Sequence, residues 1–233
     1  MSKNTYRIAL AGNPNTGKST LFNALTGMNQ HTGNWPGKTV EQAIGTFTYE
    51  ADTYDVIDLP GTYSLYSNST DEEVARDYII FEEPDVTLVV VDATCLERNL
   101  NLALQVLEMT SKVILCVNLI DEAKKKGISI NAPLLSEQLG IPVVTMSARN
   151  KVGIDTLLKN VKKMVIGEIP VKPFIVPYSE EIENRIKELE PSIKNLFGER
   201  FPTRWIALRL LDGDSTLLQS LTDKLVEKER VIL

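Results

Sequence analysis

The chain has 233 residues, 43% of them hydrophobic and 24% charged, with a formal net charge of −6. This balance excludes a disordered or collagen-like chain and argues against a broad, sequence-independent grip on nucleic-acid phosphates. No apolar run approaches the roughly 18 residues of a membrane span, and MSKNTYRIALAG lacks the long apolar segment of a secretory leader, so the chain reads as soluble and cytoplasmic.

In chain order, RIALA (residues 7–11) is a short apolar strand run that ends in a glycine-rich loop, and STLFNALTG reads as a helix closed by Gly27. Residues 28–38 are polar and rich in glycine and proline, the composition of a mobile loop. EQAIGTFTYEADTYDVIDL reads as a hairpin, two strands joined by a polar turn at Ala51 and Asp52. The strand runs VTLVVVD, KVILCVN and PVVTMS then alternate with helical stretches at 97–109, 132–139 and 154–166. Strands that are apolar throughout and separated by helices belong to a parallel sheet covered on both faces. The expectation is an α/β fold with a mostly parallel six-stranded sheet, in which the hairpin supplies one antiparallel edge strand. Cys95 and Cys116, each beside aliphatic residues, read as reduced core thiols.

The composition changes near residue 168. EIPVKPFIVP holds three prolines between Pro170 and Pro177, too many for a helix, and reads as a stiff extended connector. Beyond it, Ile182, Ile186, Leu189, Ile193 and Leu196 recur at helical steps, with Pro191 expected to kink or restart the helix. RWIALRLLDGD reads as a second helix stopped at Asp212-Gly213, and a third starts at Ser215. The division is therefore 1–168, a linker at 169–177, and a small all-helical domain at 178–233, which is too small to be stable without docking on the first.

Gly12-Asn13-Pro14-Asn15-Thr16-Gly17-Lys18-Ser19, followed by Thr20, fits the phosphate-loop pattern G-x-x-x-x-G-K-[ST]. The glycines let backbone amides converge on phosphates, Lys18 reaches the β- and γ-phosphates, and Ser19 offers a hydroxyl to Mg²⁺. Asp58-Leu59-Pro60-Gly61 ends a strand, where Asp58 can hold the Mg²⁺ shell and Gly61 can turn its amide toward a γ-phosphate. Asn118-Leu119-Ile120-Asp121 ends another strand, and a carboxylate there accepts from the two donors on guanine's Watson–Crick edge, a pairing that adenine cannot offer. Ser147-Ala148-Arg149 can add a backbone amide to the guanine oxygen. Each short motif alone reads as a turn or a helix entry. Four in order, each at the C-terminal end of a strand, point to a guanine nucleotide. Gly37, Lys38 and Thr39 lie in the segment before the hairpin, where the Thr39 hydroxyl can complete the Mg²⁺ shell only while a γ-phosphate is present. Loss of that phosphate would release residues 33–41.

The order GNPNTGKS, GNWPGKTVE, DLPGTYSL, NLID, SAR resembles the translation-factor-related branch of Ras-like GTPases. Within it, NWPG-x-TVE, DLPG-x-YSL and RWIALRLLDGD resemble the cytoplasmic N-terminal region of the ferrous iron transport protein B (FeoB) family, over nearly the whole chain. The resemblance implies a Ras-like P-loop fold and a helical domain associated with slowed GDP release. It also implies a membrane-embedded iron-conducting domain outside this chain, a small FeoA-type accessory protein and a homo-oligomer. Where Ras-type enzymes carry a water-orienting glutamine, this chain has Thr62. The resemblance further implies K⁺ as the source of transition-state charge, held by Asn15 with the carbonyls of Gly33 and Trp35. Asn13 then braces the loop, and the Trp35 ring can pack while its backbone oxygen serves as a ligand.

His31 reads as a solvated loop imidazole, Lys124-Lys125-Lys126 as a solvated helix end, and Glu72-Glu73 and Glu82-Glu83 as helix-face charges rather than an iron site. The leading expectation is a slow, K⁺-activated GTPase on the cytoplasmic side of the inner membrane, using Mg²⁺ and K⁺ and binding no nucleic acid. A GTPase acting on RNA or ribosome assembly would want a basic appendage, whereas the tail from Pro177 offers acidic helices. A GTP/GDP sensor with incidental hydrolysis is also compatible with Thr62. The absence of a membrane span before the end at ERVIL reads as an excised soluble portion.

Overall fold

A computed structural model describes residues 4–27, 30–66, 69–198, 201–214, 216–217 and 219–223. A seven-stranded sheet runs in the order β2-β3-β4-β1-β5-β6-β7. Its strands are β1 (Thr5–Gly12), β2 (Gln30–Asn34), β3 (Glu41–Tyr49), β4 (Asp52–Asp58), β5 (Val86–Asp92), β6 (Val113–Asn118) and β7 (Val143–Thr145). From β4 to β7 all neighbours are parallel, whereas β3 lies antiparallel to both β4 and β2. The count corrects the six-strand expectation. The seventh strand, β2, comes from the polar stretch read as a loop; its residues 31–34 are all exposed, so no apolar alternation marks it. It forms because β3 presents an open backbone edge, and His31 pairs there with Ile44.

The helices are α1 (Lys18–Thr26), α2 (Thr70–Asp77) running into a π-helical turn (Tyr78–Glu82), α3 (Leu96–Met109), α4 (Ile120–Lys125), α5 (Ala132–Leu139), α6 (Ile154–Val165), α7 (Glu180–Phe197) and α8 (Thr203–Leu211). Residues 216–217 and 219–223 are also helical; Ser215, where the third helix of the tail was expected to begin, lies outside the described residues. The central strands are buried on both faces, and successive side chains divide between two cores. Ile8, Leu10, Leu88 and Val90 pack toward α1 and α6. Ala9, Ala11, Val89 and Val91 pack toward α2, α3 and the helical tail. Period-2 alternation is hidden in such strands because both faces are apolar.

Residues 169–179 contain neither helix nor strand. The connector is pinned by backbone bonds from Lys172 N to Gly140 O (3.0 Å) and from Phe174 N to Leu139 O (2.9 Å). Ser179 caps α7 by accepting from Ile182 N, and three glutamates in the first turn complement the positive end of the helix. The helix continues through Pro191 without restarting. Ile186 and Ile193 are buried and Ile182 and Leu189 pack beside them, but Leu196 is 66% exposed and leaves the expected stripe; Phe197 packs instead. Cys95 also departs from expectation: it is exposed at the head of α3, and only Cys116 is a core thiol.

The helical tail docks on the α2–α3 side. Trp205, Ile206 and Leu208 are buried in the same apolar cluster as Leu102 and Val106 of α3. Arg76 of α2 is fully buried and donates to Asp77 Oδ1 (2.8 Å), Asp214 Oδ2 (3.2 Å) and Thr216 Oγ1 (3.1 Å). Such a charge is tolerated in a core only when its donors are met. Arg204 grips Glu183 through two 2.7 Å bonds, and the Tyr178 hydroxyl donates to Glu108 of α3 (2.7 Å). Among the described residues, no helix is long and apolar enough to cross a membrane.

Candidate nucleotide site

β1 delivers the phosphate loop between β4 and β5. Gly12 sits against the Val90 carbonyl so closely that a Cβ would lie 2.6 Å from it. Two residues of the loop take the left-handed region, Asn15 (φ 66°) and Gly17 (φ 82°), and a Cβ on Gly17 would lie 2.4 Å from Asn118 Nδ2. The second glycine is therefore required twice, for its torsion and for the side chain beside it.

The two asparagines of the loop differ in their surroundings. Asn13 is 2% exposed and donates from Nδ2 to the Thr62 carbonyl (3.2 Å), while its Oδ1 is buried without a partner. Thr62 N returns a bond to Gly12 O (3.3 Å), so the loop and the residue after the D-x-x-G turn are fastened twice. Asn15 is exposed, and its amide makes no hydrogen bond to the described residues. Pro14 lies against Gly61, 3.6 Å from where that glycine's Cβ would be. The Thr16 hydroxyl donates to Asn13 O (2.9 Å). Ser19 and Thr20 are exposed in the first turn of α1.

Lys18 meets the Asp58 carboxylate and donates to Leu59 O (2.6 Å). Burial pushes the Asp58 carboxyl above its ordinary value, while the Lys18 ammonium pulls it back. Lys18, Asp58 and Pro60 line a cavity of about 440 Å³ together with Gly33, Glu41 and Gln42 from the β2–β3 edge.

Of the segment preceding β3, Thr32, Gly33 and Asn34 line this cavity, whereas the turn beyond Asn34 faces α2. Gly33 and Asn34 belong to β2, and the turn beyond it is closed by Trp35 N to Val40 O (2.9 Å) and Lys38 N to Trp35 O (3.0 Å). Gly37 is left-handed (φ 71°) and Thr39 is exposed. The Trp35 ring packs edge-on against Tyr78, with centroids 5.4 Å apart, and Lys38 pairs with Glu73 of α2 (2.8 Å). Among the described residues no hydrogen bond joins Thr39 to Ser19 or Asp58, and Trp35 faces a second cavity beside α2. Trp35 and Thr39 are therefore not gathered with Asn15 and Ser19 here, whereas Gly33 shares a cavity with Lys18 and Asp58.

At the other end of the loop, Asn118 acts as a strut. It is 1% exposed, donates to Thr16 O (2.9 Å) and accepts from Ala148 N (2.9 Å). The phosphate loop and the loop after β7 are thus joined through one side chain, and Ala148's amide is committed to it. Leu119 turns the chain in the left-handed region (φ 60°), and Ile120 N donates to Met146 O (3.2 Å). Asp121 follows, with Oδ2 accepting from Asn150 (3.1 Å) and Oδ1 buried without a hydrogen bond. The Ser147 hydroxyl beside it holds its carboxyl below the usual carboxylate range, so it is an anionic acceptor at neutral pH. Arg149 is exposed.

Asn150 and Arg76 carry no signal in the chain's periodicity. Asn150 is one residue beyond the S-A-R motif and could have been found only by asking what restrains Asp121.

These features have counterparts in known proteins. Residues 6–161 match the family model for ferrous iron transport protein B, and residues 178–232 match the model for the FeoB cytosolic helical domain. The Fe(2+) transporter FeoB of Methanocaldococcus jannaschii is 44% identical over 214 residues, 90% of this chain and 31% of that protein. An Fe(2+) transport protein A/Fe(2+) transporter FeoB fusion protein of Porphyromonas gingivalis is 40% identical over 91% of this chain and 26% of its own length. The crystal structure of the cytosolic domain of the T. maritima FeoB iron transporter in a GDP form is 40% identical with a TM-score of 0.86, covering 96% of this chain and 86% of that one. The chain spans about a third or less of the curated relatives' length.

Proposed function

Because the chain belongs to the ferrous iron transport protein B family, we propose that it is the GTP-binding and GTP-hydrolysing regulatory part of a ferrous iron transporter. In this reading it works on the cytosolic side and signals to a membrane-embedded iron-conducting domain elsewhere in the full-length protein. The T. maritima relative's GDP form supports the nucleotide. The P. gingivalis fusion supports a small FeoA-type partner.

The observation that carries the reading is the meeting of Lys18 with Asp58 at the C-terminal end of the sheet, with Asp121 and its unmatched buried oxygen at the same edge. Lys18 would exchange Asp58 for phosphate oxygens when a nucleotide enters, leaving the Asp58 carboxylate free to help hold a metal. Ser19 and Asp58 are hard oxygen donors that suit Mg²⁺, which when bound screens the phosphate charge. Thr39 would join them once residues 35–40 leave the turn braced by Lys38 and Glu73. The exposed, unbonded amide of Asn15 is a neutral oxygen donor that fits K⁺, whose charge would supplement that of Lys18 between the β- and γ-phosphates. Gly33 and Trp35 would add carbonyls to that ion, Trp35 after the same movement, since its oxygen here accepts from Lys38 N. Thr62 is 5% exposed and bound into the loop, so it orients no water. The helical tail, fixed to α2 through Arg76, slows GDP release by holding α2 in one position.

The test is a nucleotide titration with GTP, GDP and ATP at varied K⁺. GTP and GDP bind, ATP does not, and hydrolysis rises several-fold in K⁺ over Na⁺. ATP binding as tight as GTP binding would overturn the reading.

A further inference from the structure

We propose that Asn150 is a positioning residue for base selection: its Nδ2, 3.1 Å from Asp121 Oδ2 and 3.0 Å from Ser147 Oγ, fixes the carboxylate so that the buried Oδ1 remains as an acceptor for the base. This rests on the guanine reading above.

Asp121 and Asn150 stand on loops from different strands. Asp121 lies in the first turn of α4 after β6, and Asn150 in the loop after β7. That loop is closed at its base by reciprocal 3.1 Å bonds between Ser147 and Val152. Within it, Asn150 N donates to Ser147 O (3.1 Å), and Lys151 makes the left-handed turn (φ 56°) that brings the chain back. The backbone of Asn150 is thereby set, and only two side-chain torsions must be frozen to make both bonds. A primary amide has two N–H groups, one for each partner. A carboxylate held at one oxygen has lost its rotation, and its remaining lone pairs have fixed directions. The bond to the charged oxygen is of the stronger, charge-assisted kind, although Asn150 itself is exposed.

Guanine offers an N1–H and a 2-amino group along one edge, hypoxanthine offers only the N1–H, and adenine offers neither. A residue that merely braces the loop affects GDP and IDP alike. One that sets the carboxylate's pose affects GDP more, because two donors must be met at once.

The experiment measures affinity and release of GDP, IDP and ADP for the 233-residue chain and for its Asn150→Ala and Asn150→Ser variants. Asn150→Ala is expected to weaken GDP about fivefold to tenfold, with faster release. IDP should change by about twofold or less, on the scale of a lost contact to solvent-exposed groups. Asn150→Ser, which keeps a shorter donor, should recover part of the GDP-over-IDP preference. Unchanged GDP affinity and release in Asn150→Ala, or equal losses for GDP and IDP, would overturn the positioning role while leaving the guanine reading intact. An unmodified chain that binds ADP as well as GDP would overturn both.

Discussion

Asn13 reaches across 3.2 Å to the carbonyl of Thr62, so the phosphate loop and the residue after the D-x-x-G turn move together. The bond separates the roles of two asparagines only two positions apart: one faces inward as a fastening, and the other faces outward with its amide unbonded.

Replacing Asn13 with alanine leaves the buried Thr62 carbonyl unmet but also removes Asn13 Oδ1, which is itself unmatched. The opposing effects reduce the loss to about 1 kcal/mol, at the low end for a buried unsatisfied group. Urea unfolding reads that value. Single-turnover hydrolysis should fall more than GDP affinity, because the bond registers the turn that carries Gly61.

Asn15→Ala behaves in the opposite way. The side chain is exposed and unbonded among the described residues, so the unfolding midpoint should hardly change. The several-fold gain in hydrolysis in K⁺ over Na⁺ should vanish, leaving one rate in both salts. A persistent K⁺ effect in the variant, or none in the unmodified chain, removes this asparagine from the ion's coordination.

Gly17→Ala combines an unfavourable torsion with a collision. Its φ of 82° is strained for any L-residue, and the new Cβ would lie 2.4 Å from Asn118 Nδ2. The torsion alone costs about 1–3 kcal/mol, and displacing Asn118 disturbs both of its bonds. Guanine-nucleotide binding should be lost in a titration while circular dichroism still shows the fold.

Glu183 is held at about 2, against an ordinary 4.5, first by the Arg204 guanidinium and then by the Tyr178 amide. A carboxyl whose folded value is depressed stabilises fully above its unfolded value, and the contribution is lost as pH falls from about 4.5 toward about 2. The difference in thermal midpoint between the unmodified chain and Glu183→Gln should be constant above pH 5 and shrink below it. A difference that grows on acidification would contradict the pairing.

The parts legible in sequence were those written in burial. The apolar runs VTLVVVD and KVILCVN gave β5 and β6, and the glycine spacing gave the phosphate loop, because a packed strand and a crowded turn both restrict residue type. The strand Gln30–Asn34 was illegible because an edge strand exposed on both faces needs only a backbone to pair with. Cys95 and Leu196 looked apolar in their neighbourhoods, but which side of a helix a residue occupies depends on what docks there, and neither position is covered. Asn118 reads from its motif as part of base recognition, and its geometry adds a strut between two loops that the motif does not announce; motif membership does not say which atom does what. Arg76 was hidden because its partners lie about 140 residues downstream.

The shared apolar cluster has a further consequence. Trp205, Ile206, Leu217 and Leu221 lie in one continuous interior with Leu102, Val106 and Val117. The two family models meet across residues 162–177, but the chain's cohesion does not divide there. What heredity treats as a pair of modules should melt as a single body, so a calorimetric trace of this chain should contain one peak rather than two.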